Sequence, residues 1–354
     1  MLDAPKIDAA ALHASIVTID THIDIPWPSG PDAFSDDPRG KGTRRVDIPK
    51  MTRGGLGAGC FAAYVPQGRR DAEGSRAAGE RALAMLSAIN AMGGNGQGDR
   101  TERGVTARVT VTADAIEQAR RDGVIAVIPC VENGYAMGED LGMLARFRAL
   151  GARYLTLTHN GHNLLCDSSN PRQDLGDGET LHGGLSELGR AAIGELNRLG
   201  MLVDISHVSR QAALQAAMLS KTPVLATHSC VRALCDVPRN VDDQLMDAVR
   251  DCGGMINVTA VPSFLKKGAR ADAVTVSAFV DHVEYIVRRV GLAHAGISSD
   301  FDGGGGFVGW EDAADSANIT AELVKRGHGE AEVAALWGGN FLRLLRVAED
   351  AADA

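Results

Sequence analysis

Eight short apolar runs, mostly alternating with stretches of helical character, constrain this chain more than any other feature. They fall at 16–24, 58–65, 124–132, 154–159, 201–207, 223–229, 254–261 and 295–300. The run at 124–132 is almost wholly apolar, as a parallel strand covered on both faces is. Helical segments are expected at 1–15, 70–92, 113–123, 139–150, 186–199, 208–220, 242–251 and 274–290, with two closing helices at 312–326 and 330–346. Strands alternating with helices predict a parallel sheet, and a count of eight favours closure. The expected fold is therefore α/β, a (β/α)8 TIM-type barrel formed as one domain by residues 1–354. A long Pro/Gly/Asp-rich loop is expected at 26–55. The alternative, an open doubly wound sheet, would carry a glycine-rich turn after the first strand. The chain has His-Ile-Asp-Ile-Pro-Trp there instead.

In a barrel the carboxyl ends of the strands hold the active site. Here those ends carry His22 and Asp24, then Glu132, His159, His207, His228 and Asp300. His22 and Asp24 are two apart, so in a strand they point the same way. Asp20 lies one step deeper and could support them. Leu155, Leu157 and His159 share a parity, as do Val203, Ile205 and His207, and Val224, Ala226 and His228. The expectation is that apolar residues fill the inward face and a histidine finishes each at the rim. Four of ten histidines occupy such positions.

This donor set points to a metal site. A single catalytic zinc takes three protein ligands and a water. His22, Asp24, Glu132, His207 and His228 make five, which suits two ions if Glu132 bridges. His22 and Asp24 would then serve one ion and His207 and His228 the other. Two ions about 3.5–4 Å apart can hold a shared hydroxide and polarise a carbonyl. Mixed imidazole and carboxylate ligands suit zinc, with manganese or cobalt as alternatives. Asp300 could move the proton of the bridging water to a leaving amine. His159 could donate to the developing oxyanion. Arg239 offers a fork for a substrate carboxylate, or else forms a surface salt bridge. The remaining histidines, His13, His162, His182, His282, His294 and His328, read as non-ligands. The glycine run 303–306 could cradle a phosphate but reads as a loop.

A formal charge of -9 argues against nucleic acid as a partner. No run of eighteen apolar residues is present, so no membrane span is expected. The acidic start lacks a signal-peptide pattern, and a cytoplasmic protein is the expectation. The six cysteines form no Cys-x-x-Cys pair, and most are expected to be buried and reduced.

The segments D-T-H-I-D-I-P-W, V-E-N-G, Y-L-T-L-T-H-N, V-D-I-S-H-V-S, T-H-S, P-R-N-V-D-D and S-D-F-D-G together resemble the membrane (renal) dipeptidase family of zinc metallopeptidases. The resemblance runs in order from residue 16 to about 303. It implies an amidohydrolase-like barrel that cleaves the peptide bond of dipeptides, L-L and also L-D, at a site with two Zn2+ per chain. It assigns His22, Asp24, Glu132, His207 and His228 as ligands, with Glu132 the bridge. His159, Arg239 and Asp300 become catalytic and substrate-binding positions. A homodimer is the assembly it implies. The alternative is another amidohydrolase-type reaction, on N-acyl amino acids or lactams. Asn133-Gly134-Tyr135 after Glu132, and Ser298-Ser299 before Asp300, depart from the family pattern and are expected to line the pocket.

Overall fold

The computed structural model describes residues 7–25, 27, 44–94, 100–102 and 105–352. Its strands are β1 (Ile19–Asp24), β2 (Ala58–Tyr64), β3 (Arg100–Glu102), β4 (Val105–Val109), β5 (Ile125–Glu132), β6 (Tyr154–Thr156), β7 (Leu202–Asp204), β8 (Val224–Ser229), β9 (Met255–Val258) and β10 (Ala295–Ile297). Eight of them pair in the order β1-β2-β5-β6-β7-β8-β9-β10, each neighbour parallel. The ring is completed just past β10, where Asp300 N donates to His22 O at 3.1 Å and Asp24 N donates to Phe301 O at 3.0 Å. This is the nearly closed TIM-type barrel that the alternation of strands and helices predicts.

The helices are α1 (Ala9–Ser15), α2 (Ile48–Gly54), α3 (Ala72–Met92), α4 (Ala113–Arg121), α5 (Gly142–Ala149), α6 (Glu187–Arg198), α7 (Arg210–Leu219), α8 (Asp243–Asp251), α9 (Pro262–Leu265), α10 (Val276–Val290), α11 (Ala317–Lys325), α12 (Glu330–Ala334) and α13 (Asn340–Ala351). Local capping sets many of their starts. Asp71, Thr112, Ser186, Ser209 and Asp242 each accept from a backbone N–H of the first turn. Among the described residues no helix is long and apolar enough to cross a membrane.

Three features differ from the sequence expectation. The segment expected as a loop at 26–55 contains α2, capped by Asp47 and ended by Gly55 in the left-handed region; residues 26 and 28–43 lie outside the described residues. β3 and β4 form an antiparallel pair that the sequence reading did not anticipate, and β4 joins the edge of β5. The last expected helix is α12 and α13 joined through a π-helical stretch, Ala335–Gly339. There Gly338 lies against Val17 O and Ile19, an approach that a Cβ would block.

The inward face also has a different parity from the one expected. Ala126, Ile128 and Cys130, which share the parity of Glu132, cluster with Tyr154, Leu202, Leu225 and Met255. Phe341, Leu344 and Leu345 of α13 complete this cluster and close the amino end of the barrel. Each large side chain buried there contributes roughly 1.5–3 kcal/mol. Leu155, Val203, Val224 and Ala226, expected inside, belong instead to the larger cluster shared with the surrounding helices. The inward residues of β6, β7 and β8 are thus Tyr154 and Thr156, Leu202 and Asp204, and Leu225 and Thr227.

Candidate metal centre

The rim histidines reach the barrel axis because regular pairing stops beneath them. Pairing of β6 ends at Thr156 and that of β7 at Asp204, so His159 and His207 each lie three residues beyond an inward residue. His207 takes φ 67° to turn back. His228 stays within β8, but the register shifts between Ala226 and Ser229, and this irregularity re-aims its side chain. A similar shift separates Asp20 from Ile23 in β1. The described non-glycine residues with positive φ are Asn133, His207, Asp300 and Asp302, all past strand ends at the rim. Such conformations cost about 1–3 kcal/mol each and collect at functional sites.

Glu132 is the centre of the cluster. Its Oε2 lies 3.6 Å from His22 Nε2. Its Oε1 lies 3.2 Å from His207 Nε2, 3.4 Å from His228 Nε2 and 3.9 Å from His159 Nε2. Asp24 Oδ1 is 3.5 Å from His22 Nε2. The Nε2 atoms of His207 and His228 are 2.8 Å apart. The donor atoms of His22, Glu132 and His228 lie close enough together to hold one cation, and so do those of Glu132, His159 and His207. All five expected ligands therefore meet at one rim. His159, expected to bind substrate, stands among them.

The burial of these groups fits a cation. His22 Nε2, Asp24 Oδ1 and His207 Nδ1 are buried with no hydrogen-bond partner, a state that polar atoms in a folded interior rarely keep. Burial pushes Glu132 above the usual carboxylate range, opposed by His22. Burial also pushes Asp300 well up, with Asp24 and Glu132 adding to it and His22 and Arg239 opposing. Burial holds His207 and His228 well below the ordinary imidazole value; at His207 the Arg239 guanidinium adds most to this, and at His228 the His22 imidazole does. His159 is pushed down to about 3 by burial and by Arg239. At His22 burial acts downward, but Glu132 and Asp24 outweigh it and raise the value. Neutral imidazoles offer free lone pairs, and a dication among the carboxylates would favour their ionised forms. Imidazole and carboxylate donors suit a transition-metal ion.

Arg239 is buried, not the surface salt bridge of the alternative reading. One guanidinium nitrogen donates to His228 O at 3.1 Å, Nε has no partner, and the Phe264 ring lies 5.2 Å away. Asp300 and Asp24 flank Gly303, where a Cβ would come within 2.4 Å of Asp300 Oδ1 and 2.6 Å of Asp24 Oδ2. The glycine run 303–306 offers no phosphate cradle, since Gly303, Gly304 and Gly305 N–H groups all point to Asp300 O and Gly306 N–H to Ala260 O.

Asp20 does not support the ligand rings. It accepts from the backbone N–H groups of His22 and Ser299 and so fixes the join between β1 and the segment after β10. The residues that do touch the rings escaped the sequence reading. Tyr154 Oη lies 2.9 Å from His22 Nδ1, and Thr227 Oγ1 lies 2.8 Å from His228 Nδ1. The available signal was Thr156, Asp204 and Thr227, polar residues at one depth on three consecutive strands. Asn133 and Tyr135 brace loops instead of lining the pocket: Asn133 donates to Val65 O and Tyr135 to Arg69 O. Ser299 accepts from Phe301 N. The six histidines read as non-ligands stand apart from the cluster, each paired elsewhere. All six cysteines are free thiols, five of them buried.

The family model of the membrane dipeptidases, peptidase family M19, matches residues 7–354. The chain is 33% identical to the dipeptidase tcpJ of Claviceps purpurea over 315 residues, 87% of this chain and 70% of that one. It is 30% identical to the dipeptidase verJ of Clonostachys rogersoniana, over 99% of this chain and 89% of that one. Among solved structures, the probable dipeptidase PvdM of Pseudomonas aeruginosa superposes with a TM-score of 0.88 at 28% identity, covering 97% of this chain and 98% of that one. A metallopeptidase of Rhodobacter sphaeroides, bound to a phosphinate mimic of the dipeptide L-Ala-D-Ala, gives 0.80 at 26% identity, over 94% and 99%. With its barrel, its buried imidazole and carboxylate cluster and its match along the whole described length, the chain belongs to the membrane dipeptidase family, M19, and is a metal-dependent dipeptidase.

Proposed function

We propose that the enzyme works with two zinc ions and cleaves dipeptides of both the L-L and L-D series. His22, Asp24, His207 and His228 would hold the ions, with Glu132 between them. The observation that carries this reading is the position of Glu132, whose two carboxylate oxygens face different histidines. When bound, the metal supplies a polarised carbonyl and a water acidic enough to attack at neutral pH.

The chain's own residues do the rest. Arg239, buried and with Nε unpartnered, receives the substrate carboxylate and fixes the peptide relative to the cluster. Asp300, ionised beside dications, takes a proton from the attacking water and delivers it to the amine that leaves. His159 is held neutral at physiological pH, so it can stabilise the developing oxyanion as an N–H donor without carrying charge. The dipeptide mimic bound by the Rhodobacter sphaeroides relative supports an L-D substrate. The test is a panel of L-L and L-D dipeptides offered to zinc-loaded protein, with metal counted per chain. Turnover that is lost to a chelator and regained with zinc is expected. Protein that holds two zinc ions yet cleaves no dipeptide overturns the reading.

A further inference from the structure

The hydroxyls of Tyr154 and Thr227 each have one proton, and in both cases it is committed away from the neighbouring imidazole. Tyr154 Oη lies 3.1 Å from Thr21 O, which can only accept. The phenol therefore donates there and accepts from His22 Nδ1 at 2.9 Å. Thr227 Oγ1 donates to Asp204 Oδ2 at 2.7 Å and accepts from His228 Nδ1 at 2.8 Å. Asp204 is fixed as the acceptor, because it also receives Thr156 Oγ1 at 2.6 Å and the N–H groups of Ser206 and Thr227 at 2.9 and 3.0 Å.

We propose that Tyr154 and Thr227 are positioning residues that fix hydrogen on Nδ1 of His22 and His228, leaving Nε2 of each as the ligand atom that faces Glu132. His207 has no such support, since its Nδ1 is buried without a partner. Of the rings of His22, His207 and His228, only the first and the last are therefore pre-set with Nε2 as the ligand atom beside Glu132.

The proposal rests on the two-ion reading above, and one titration separates their failures. Zinc-loaded full-length protein is challenged with increasing chelator while the metal retained per chain is counted. Two ions per chain are expected at the start. Tyr154→Phe should begin to lose metal at about 10- to 100-fold lower chelator than the native chain, the usual effect of losing a hydrogen bond behind a ligand. Thr227→Val should do the same, and Thr227→Ser, which keeps the hydroxyl, should restore native retention. Nitrogen-15 imidazole spectra of the chelated native chain should place hydrogen on Nδ1 of His22 and His228, a readout that needs no variant. A native metal-loss curve that either variant leaves unmoved, or Nδ1 without hydrogen on either histidine, overturns the tautomer lock and leaves the two-ion reading standing. A native chain that never holds two ions refutes the two-ion reading itself.

Discussion

Glu132 Oε1 lies 3.2 Å from His207 Nε2, although β6 runs between the strands that carry them. Only side chains aimed across the barrel axis can meet this way, and the carboxylate is buried where they do. Glu132→Gln keeps the shape and removes the charge. Metal content should fall, and kcat/KM should drop by about 1000-fold or more, equivalent to about 4 kcal/mol of transition-state stabilisation. A variant that keeps both its metal and its turnover would refute the bridging role.

Arg239 is buried between His228 O and the Phe264 ring, so Lys cannot replace its planar fork. Arg239→Lys and Arg239→Ala should each lower kcat/KM by about 100-fold, mainly by raising KM, in line with the loss of a charge-assisted hydrogen bond. The same variants should treat dipeptide amides much as the native enzyme does. Steady-state kinetics on matched acids and amides checks this, and equal losses on both series would remove Arg239 from carboxylate binding.

Gly303 leaves no room for a methyl group between the carboxylates of Asp24 and Asp300. Gly303→Ala should therefore weaken metal retention and cut turnover more than 10-fold while the fold, followed by circular dichroism, is preserved. Gly194 is the contrast. It lies within α6 with nothing near its missing Cβ. Gly194→Ala should leave activity unchanged and add about 1 kcal/mol of stability.

His13 is buried between Thr320 Oγ1 and Gly54 O, and its pKa lies below the ordinary 6.5, first because of burial and then because of Arg120. Above about pH 6.5 the ring is neutral in both folded and unfolded chains, and its contribution to stability is complete. As pH falls below 6.5 the unfolded chain binds the proton more readily, so stability is lost down to the folded-state pKa. Chelated protein should show a melting temperature that falls between pH 7 and pH 5, and His13→Gln should flatten that slope. An unchanged slope would show that His13 is not a source of the acid sensitivity.

Much of the centre was legible from residue types alone. One apolar run ending in His, Asp or Glu is an ordinary strand end, but several in one chain point together to a metal site, and the order of strands in the barrel follows their order in the chain. The inward parity was not legible. Val203, Ile205 and His207 look like one face, yet pairing ends at Asp204 and the backbone turns at His207. Val224, Ala226 and His228 mislead in the same way, because of the register shift in β8. A period of two holds only while a strand stays paired.

The sequence by itself determined the eight strands, the helices between them and the chemical kinds of group at the rim, because burial on two faces demands apolar runs and ligation demands imidazoles and carboxylates. Tertiary structure alone decided which atoms face the ions. Where pairing stops, and which hydroxyl from a distant strand lies behind each ring, depend on how neighbouring strands end against one another, and no local pattern records that. Tyr154 lies far along the chain from His22, and only the closed barrel brings its hydroxyl to the ring.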